Sequence, residues 1–448
     1  MLFEQFVDDD LGCASYLIGD DDSGDGVLVD PSYAIERYIA SAERRGVRIV
    51  RVLETHTHAD HVSGHGRLAL EHGIPVSVHP AANAEFPHDP LEDGQEIALG
   101  QVVVRVLHTP GHRPEHCCFT VTDRERAGEP WLVLTGDSLF VGDAARPDLA
   151  VEAAEGARDL HASLHRLLEL PDGVEVYPGH VAGSLCGSGM SSKPSTTIGF
   201  ERRFNRLLQL ANADEFVAAM TGSSSPKPPT LDRVVEINRG PFLGAPSPIK
   251  QLEGAGSATV IDVRGADAFA RGHAHGAINV PLERSGFATK VAFVLREAEP
   301  VALQARTQDQ AEDAAARLRA VGILEIAGYL LDAPADETLE PIDIPELEQL
   351  VAENAVDVID VREKSERDDG YIAGSRHIPY RILRDYAEEL DNGRPFVTIC
   401  ESGARAAVAA SILAAAGHEA RPVLRGGIPA WEERGNQTVA FRRCGGSS

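Results

Sequence analysis

Glu54-Thr55-His56-Thr57-His58-Ala59-Asp60-His61 is the stretch that decides how this chain is read. Three imidazoles and a carboxylate fall within the six positions from His56 to His61. Before them, Ile49-Val50-Arg51-Val52-Leu53 has the composition of a short apolar strand. After them, Val62 to His72 has the pattern of a helix. The cluster therefore sits where a strand ends and a helix begins, on a loop held by rigid elements. Alternate histidines leaving a strand end emerge on the same side. Four ligand-type side chains this dense are costly to hold together without a cation, and imidazole with carboxylate suits zinc or iron.

Outward from that loop the same pattern recurs. Val102 to Leu107 runs into Thr109-Pro110-Gly111-His112, Trp131 to Leu134 into Thr135-Gly136-Asp137, and Val174 to Tyr177 into Pro178-Gly179-His180. Each time an apolar strand leads to a turn with glycine and then to a ligand-type side chain. A metal site at the edge of a sheet requires this. Further strands are expected at Cys13–Ile18 and Gly26–Val29, around the acidic turn Asp20–Asp25, and at Val76–Val78 and Cys117–Val121. Ala34–Arg45 reads as a helix, and Gly199–Met220 as another. The proline- and serine-rich run 221–230 is a stiffened loop. Leu231–Pro241 is expected to pack back on the metal domain, with Gly244–Pro248 as the linker.

The His-x-His-x-Asp-His run at 56 to 61, with His112, Asp137 and His180, resembles the metallo-β-lactamase superfamily. That resemblance implies an αββα sandwich with metal at one edge. The superfamily holds zinc hydrolases of the glyoxalase II type and non-haem iron persulfide dioxygenases. Two stretches resemble the dioxygenase branch fused to rhodanese domains. They are Asp137 to Asp143 continuing to Arg146-Pro147-Asp148-Leu149, and Gly183-Ser184-Leu185-Cys186-Gly187 continuing through Ser195 to Arg202. Ala145 departs from the glycine more usual before Arg-Pro-Asp. The resemblance implies one Fe(II) on His56, His112 and Asp137, a two-histidine, one-carboxylate set that leaves positions open for substrate and O2. His58, Asp60, His61 and His180 would then orient ligands or hydrogen-bond bound water and substrate. In a zinc hydrolase the same four would hold a second metal, and a metal-bound hydroxide would attack a thioester. Spacing leaves both open. Cys186, six residues after His180, is a candidate for sulfur relay or a plain loop cysteine.

The second half carries a repeat. Val260-Ile261-Asp262-Val263-Arg264 recurs as Val358-Ile359-Asp360-Val361-Arg362, and His275 to Pro281 is echoed by Ala373 to Pro379. Each copy alternates strands and helices in the α/β manner, and both resemble rhodanese domains. The second copy holds Cys400-Glu401-Ser402-Gly403-Ala404-Arg405, which matches the rhodanese active loop Cys-x-x-Gly-x-Arg. A cysteine after a strand and before a helix sits at the helix N-terminus, where free backbone N–H groups and Arg405 favour a thiolate and then a persulfide anion. In the first copy Ala305 stands where the cysteine should be, Gln308 for the glycine and Gln310 for the arginine. That copy reads as catalytically silent, a spacer or docking surface. The expected domains are residues 1–245 (metal), 246–335 (silent rhodanese) and 338–442 (rhodanese with Cys400).

The formal net charge is −27, which argues against nucleic acid or an anionic membrane as a general partner. No apolar run reaches the roughly 20 residues of a membrane span. The start, Met1-Leu2-Phe3-Glu4-Gln5-Phe6 running into Asp8-Asp9-Asp10, lacks the pattern of a signal peptide. Six sparse cysteines fit free thiols in a reducing cytoplasm. The joined modules imply oxidation of a low-molecular-weight thiol persulfide by O2 to sulfite, with sulfur transfer between sulfite and thiosulfate through Cys400. The alternatives are a glyoxalase II-like zinc thioester hydrolase with an appended sulfurtransferase, and a sulfur carrier or sensor without turnover. Self-association is an open expectation.

Overall fold

Alternation along single strands builds the first layers. In the computed structural model, which describes all residues except 149, 182–190, 211, 223–226, 284, 297, 332, 333, 335, 391, 392 and 442–448, the chain opens with β1 (Leu2–Val7). This strand pairs antiparallel with β2 (Ala14–Gly19), and β2 with β3 (Asp25–Val29). Helix α1 (Glu36–Arg45) leads to β4 (Arg48–Leu53), and α2 (His65–His72) to β5 (Val76–Val78) and β6 (Asp89–Pro90). These strands form one sheet in chain order. The strands β7 (Glu96–Leu99), β8 (Val102–His108), β9 (Cys117–Asp123) and β10 (Leu132–Gly136) form an antiparallel meander. A small hairpin, β11 (Leu139–Phe140) with β12 (Asp143–Ala144), and helix α3 (Ala153–Leu167) follow. Strand β13 (Glu175–Pro178) then adds parallel to β10, and β14 (Thr196–Thr197) completes the second sheet.

Tyr16 and Ile18 of β2 face Val104, Val106, Phe119 and Leu134 of the second sheet, which makes the inter-sheet core. Leu17 between them packs outward with Tyr38 of α1 and Leu68 of α2. On the far side, Cys118 and Val133 pack with Leu160 and Leu164 of α3. The period of two thus sends successive side chains into different layers, and the layers stack as helix, sheet, sheet, helix. Cys117 faces the inter-sheet core and Cys118 the helix layer. Burial pushes both thiols up, Cys118 to about 12, so they stay protonated core residues.

Two helices differ from the sequence expectation. Helix α2 begins at His65 rather than Val62, because Ser63 and its neighbours are held in the loop by side-chain hydrogen bonds. The single helix expected over 199–220 is instead α4 (Ile198–Phe204), a short 3-10 turn at Leu207–Gln209 and α5 (Ala213–Thr221). Asn205 ends α4 by turning its side chain to Leu207 N and Glu201 Oε2, and Asn212 caps α5 by accepting from Glu215 N. Helix α6 (Leu231–Arg239) packs Val234 against Tyr33 and Val62, so this segment does fold back on the metal domain. This first compact unit comprises Met1–Pro246 with Arg319–Gly322.

The second unit, Ser247–Leu318 with Ile323–Ser448, contains two parallel sheets. Strands β15 (Thr259–Asp262), β16 (Ile278–Asn279), β17 (Val301–Gln304) and β18 (Ile326–Leu330) lie in the order β16-β15-β17-β18, with α7 (Ala266–Arg271), α8 (Phe287–Val294) and α9 (Gln308–Ala320) between them. After α10 (Ile344–Ala352) the second module repeats this order. Its strands are β19 (Asp357–Asp360), β20 (Arg376–His377), β21 (Phe396–Ile399) and β22 (Ala420–Pro422), and its helices are α11 (Lys364–Asp369), α12 (Tyr380–Tyr386), α13 (Ala404–Ala415) and α14 (Gly427–Glu433). No helix among the described residues is long and apolar enough to cross a membrane.

Candidate metal centre and cysteine loop

The strands β8, β10 and β13 run in one direction, so His112, Asp137 and His180 all leave the second sheet at the same edge. The histidine loop after β4 meets them there. His56, His112 and Asp137 each offer a ligand atom, and these atoms lie within 4.8 Å of one another. All three side chains are buried.

The hydrogen bonds decide which atoms are free. Thr55 Oγ1 donates to Asp30 Oδ2 and therefore accepts from His56 Nδ1 at 2.9 Å, which leaves the His56 Nε2 lone pair unprotonated. His112 Nδ1 donates to the Arg146 carbonyl at 3.0 Å, which frees its Nε2 in the same way. Burial, reinforced by neighbouring histidines for His56, holds both imidazoles below the usual histidine range, so both stay neutral and ligand-competent. Asp137 Oδ1 accepts from His180 Nδ1 at 2.7 Å, and its Oδ2 has no hydrogen-bond partner among the described residues. Burial alone would raise the Asp137 carboxyl, but His180 outweighs it and holds the group down to about 2.

A buried carboxylate oxygen without a partner costs about 1–3 kcal/mol or more. Asp137 Oδ2 therefore fits a cation. His58 Nδ1 and His61 Nε2 are buried and likewise without a partner among the described residues. His58, Asp60 and His61 bring ligand atoms together in a second group, and Asp30, Glu54 and His58 in a third. His58 Nε2 lies 3.1 Å from Glu54 and 3.2 Å from Asp30. Burial works against its charged form, yet the two carboxylates outweigh it and hold its pKa well above the usual range. A metal at His58 Nδ1 would displace that proton. His180 Nε2 bonds Asp60 Oδ2 at 2.6 Å, so Asp137, His180 and Asp60 form one chain from the buried site to a partly exposed carboxylate.

Several supporting residues were not singled out from the sequence. His116 Nε2 accepts from Asp137 N at 3.0 Å, and its Nδ1 bonds Thr109 Oγ1, so it fixes the backbone of a candidate ligand. Burial holds His116 down to about 3. Its only sequence signal is its position four residues after His112. Asp30 directly follows β3. It takes a left-handed φ of 49° and accepts from both the backbone and the hydroxyl of Thr55. Glu54 accepts from His58, Ser63 and His65. Gly179 is required by close approach, since a Cβ there would lie 2.6 Å from Asp137 Oδ1. The Arg-Pro-Asp segment contributes the Arg146 carbonyl that holds His112, with Arg146 itself paired to Asp148. Cys186 lies outside the described residues.

In the second unit Cys400 follows β21 and is fully buried. Its Sγ accepts from Gly403 N at 3.1 Å. Gly403 has φ of 99°, and a Cβ there would overlap the Leu424 carbonyl, so the loop can curl round the sulfur only with glycine. Arg405 makes a two-pronged ion pair with Glu366, both contacts at 2.6 Å. Burial lowers the Arg405 pKa, but Glu366 outweighs it, and the guanidinium is held charged. Its direct partner is therefore a carboxylate. The repeated Asp-Val-Arg is a structural clamp in both copies: Arg264 grips Asp262 and the Gly272 carbonyl, and Arg362 grips Asp360 and the Gly370 carbonyl. This explains why the motif persists in the copy without a cysteine. There, Ala305 follows β17, and α9 starts three residues later, with Thr307 Oγ1 accepting from Gln310 N. In the second copy α13 starts four residues after Cys400. The first copy thus lacks the cysteine and has a shorter loop.

Comparison with known proteins follows this division. Residues 8–180 match the metallo-beta-lactamase superfamily, and residues 245–332 and 343–434 match the rhodanese-like domain. The mitochondrial persulfide dioxygenase ETHE1 of Bos taurus is 31% identical over 227 residues, covering 50% of this chain and 82% of its own. A protein of Burkholderia pseudomallei named as a probable metallo-hydrolase is 30% identical over 271 residues, covering 52% of this chain and 89% of its own. Among solved structures, a metallo-beta-lactamase from Staphylococcus aureus superposes with a TM-score of 0.68 at 29% identity, covering 74% of this chain and 98% of that one.

Proposed function

The chain belongs to the metallo-β-lactamase superfamily, is homologous through its first half to persulfide dioxygenases and carries two rhodanese-like domains, and on that premise we propose that it is a non-haem iron persulfide dioxygenase joined to a sulfurtransferase. The observation that carries this reading is the trio His56 Nε2, His112 Nε2 and Asp137 Oδ2. It is a buried two-histidine, one-carboxylate set with both imidazoles neutral and the carboxylate oxygen without a partner among the described residues. Fe(II) held there would supply the oxygen chemistry and keep coordination positions for persulfide and O2.

The residues around it handle protons and water. One thiol persulfide, one O2 and one water give one thiol, one sulfite and two protons. The chain Asp137–His180–Asp60 offers those protons a path from the buried centre to a carboxylate that reaches solvent. Thr55, Asp30 and the Arg146 carbonyl keep His56 and His112 in the tautomer that presents Nε2. The Cys400 thiolate would take the outer sulfur of a persulfide, releasing the thiol. The resulting persulfide would be stabilised by Gly403 N–H and the N-terminus of α13. Sulfite would then remove that sulfur as thiosulfate and return the thiolate. The step is reversible, and the same loop serves it in either direction.

Oxygen consumption by anaerobically iron-loaded protein on adding glutathione persulfide, with sulfite assayed afterward, tests this reading. Uptake that disappears in His112→Ala supports it. A second reading, zinc-dependent thioester hydrolysis, is favoured by His58 Nδ1 and His61 Nε2, which have no partner among the described residues and would suit a second metal. No oxygen uptake, with two zincs per chain by metal analysis, would select it.

A further inference from the structure

The histidine loop is irregular backbone, yet it must hold its imidazoles in a fixed geometry. Glu54 grips it from the β4 side through His58, Ser63 and His65. The opposite grip comes from α6. Asn238 Nδ2 donates to the carbonyls of His58 and His61, at 2.9 and 2.8 Å, and its Oδ1 accepts from Ser63 N at 2.8 Å. A carboxamide has two donor hydrogens and an acceptor oxygen, and this one uses both kinds on a single loop. The side chain is buried. The pattern also fixes its orientation, because only the oxygen can meet the Ser63 N–H. Val234, four residues earlier and so on the same helix face, anchors α6 against Tyr33 and Val62.

We propose that Asn238 is a positioning residue for the metal centre: its carboxamide ties the turn carrying His58 to the turn carrying His61 and thereby holds the histidine loop, with His56 on it, in the shape that faces the cation. The proposal rests on the metal-centre reading above. The substitution Asn238→Asp is nearly isosteric, but it would aim a carboxylate oxygen at two carbonyl oxygens. Alanine would leave both carbonyls and the Ser63 N–H without their partner.

The test is metal affinity of the full chain, measured by chelator competition with Co(II) and by the Co(II) absorption spectrum, beside the melting temperature of the metal-free protein. Asn238→Asp is expected to weaken metal binding by about 10- to 100-fold, as loss of an outer-shell partner does, and to shift the Co(II) spectrum. Glu236→Gln, on an exposed position of the same helix, is the control and is expected to match wild type. If Asn238→Asp does not fold, Asn238→Ser, which offers a shorter hydroxyl donor and acceptor, takes its place, with a smaller loss expected. Wild-type affinity and spectrum in the folded variant would overturn the proposal, even if its metal-free melting temperature fell. Absence of tight metal binding in the wild type would overturn the metal-centre reading itself and this proposal with it.

Discussion

His56 and His112 show how a single proton assignment governs the site. Each ring has one nitrogen committed to a neighbouring acceptor, Thr55 Oγ1 or the Arg146 carbonyl, and the other left with its lone pair. Removing His112 takes away one of the three candidate ligand atoms. His112→Ala is expected to lose bound iron and oxygen uptake together, as read by metal analysis and an oxygen electrode. Gly179 makes a subtler prediction. A methyl group there would lie 2.6 Å from Asp137 Oδ1, so Gly179→Ala must push the carboxylate off His180. The purified variant should hold clearly less metal than wild type while its circular dichroism stays native. Full metal content in that variant would show that Asp137 does not need its present position.

At the scale of elements, α13 explains what a module without a nucleophile contributes. All eight residues from Ala406 to Leu413 are buried, and a helix apolar all round must be covered on every side. Its own sheet covers one side and the silent module another: the Asn279 N–H donates to Ser411 Oγ in the middle of α13 at 2.9 Å. Ser411→Ala would strand that buried N–H, and a loss of about 1–3 kcal/mol is expected in denaturant unfolding of the full chain. A second tie is Arg384 of α12, bound through both terminal nitrogens to Glu299 of the silent module at 2.6 and 2.8 Å. Burial alone would raise the Glu299 carboxyl, but Arg384 and Thr259 outweigh it and bring it to about 2 from a usual 4.5. A depressed folded pKa means this stabilisation is complete above about pH 4.5 and is lost as pH falls toward 2. Glu299→Gln should therefore flatten the acid limb of the stability profile within that window and leave its shape at neutral pH unchanged.

Across the whole molecule, a site proposed to make sulfite shares a chain with a cysteine proposed to consume it. Such linkage raises the local concentration of the shared intermediate without any new contact. Cys400→Ser is expected to keep oxygen uptake at the wild-type rate while the product shifts from thiosulfate to sulfite, read by chromatography of the reaction mixture. Loss of both activities would count against separate sites.

The local sequence carried the metal loop, the four strand ends, the rhodanese-like repeat and the missing cysteine at Ala305, because each is written in contiguous residues with a short period or a short motif. The αββα layering was implied by the family resemblance of the histidine run, and the structure shows how alternate strand residues serve its different cores. What the sequence did not show was every partner that arrives from far along the chain. The break in the helix expected over 199–220 depends on side chains of Asn205 and Asn212 turning back on the backbone, and polar residues inside an apolar pattern do not announce that choice. Glu54, Asp30, His116 and Asn238 looked like ordinary polar residues until folding placed them against the histidine loop and Asp137. Residue type and spacing specify which side chains are able to bind a metal. Which lone pairs remain free to do so is decided by hydrogen bonds between segments up to 120 residues apart, and those form only in the tertiary structure.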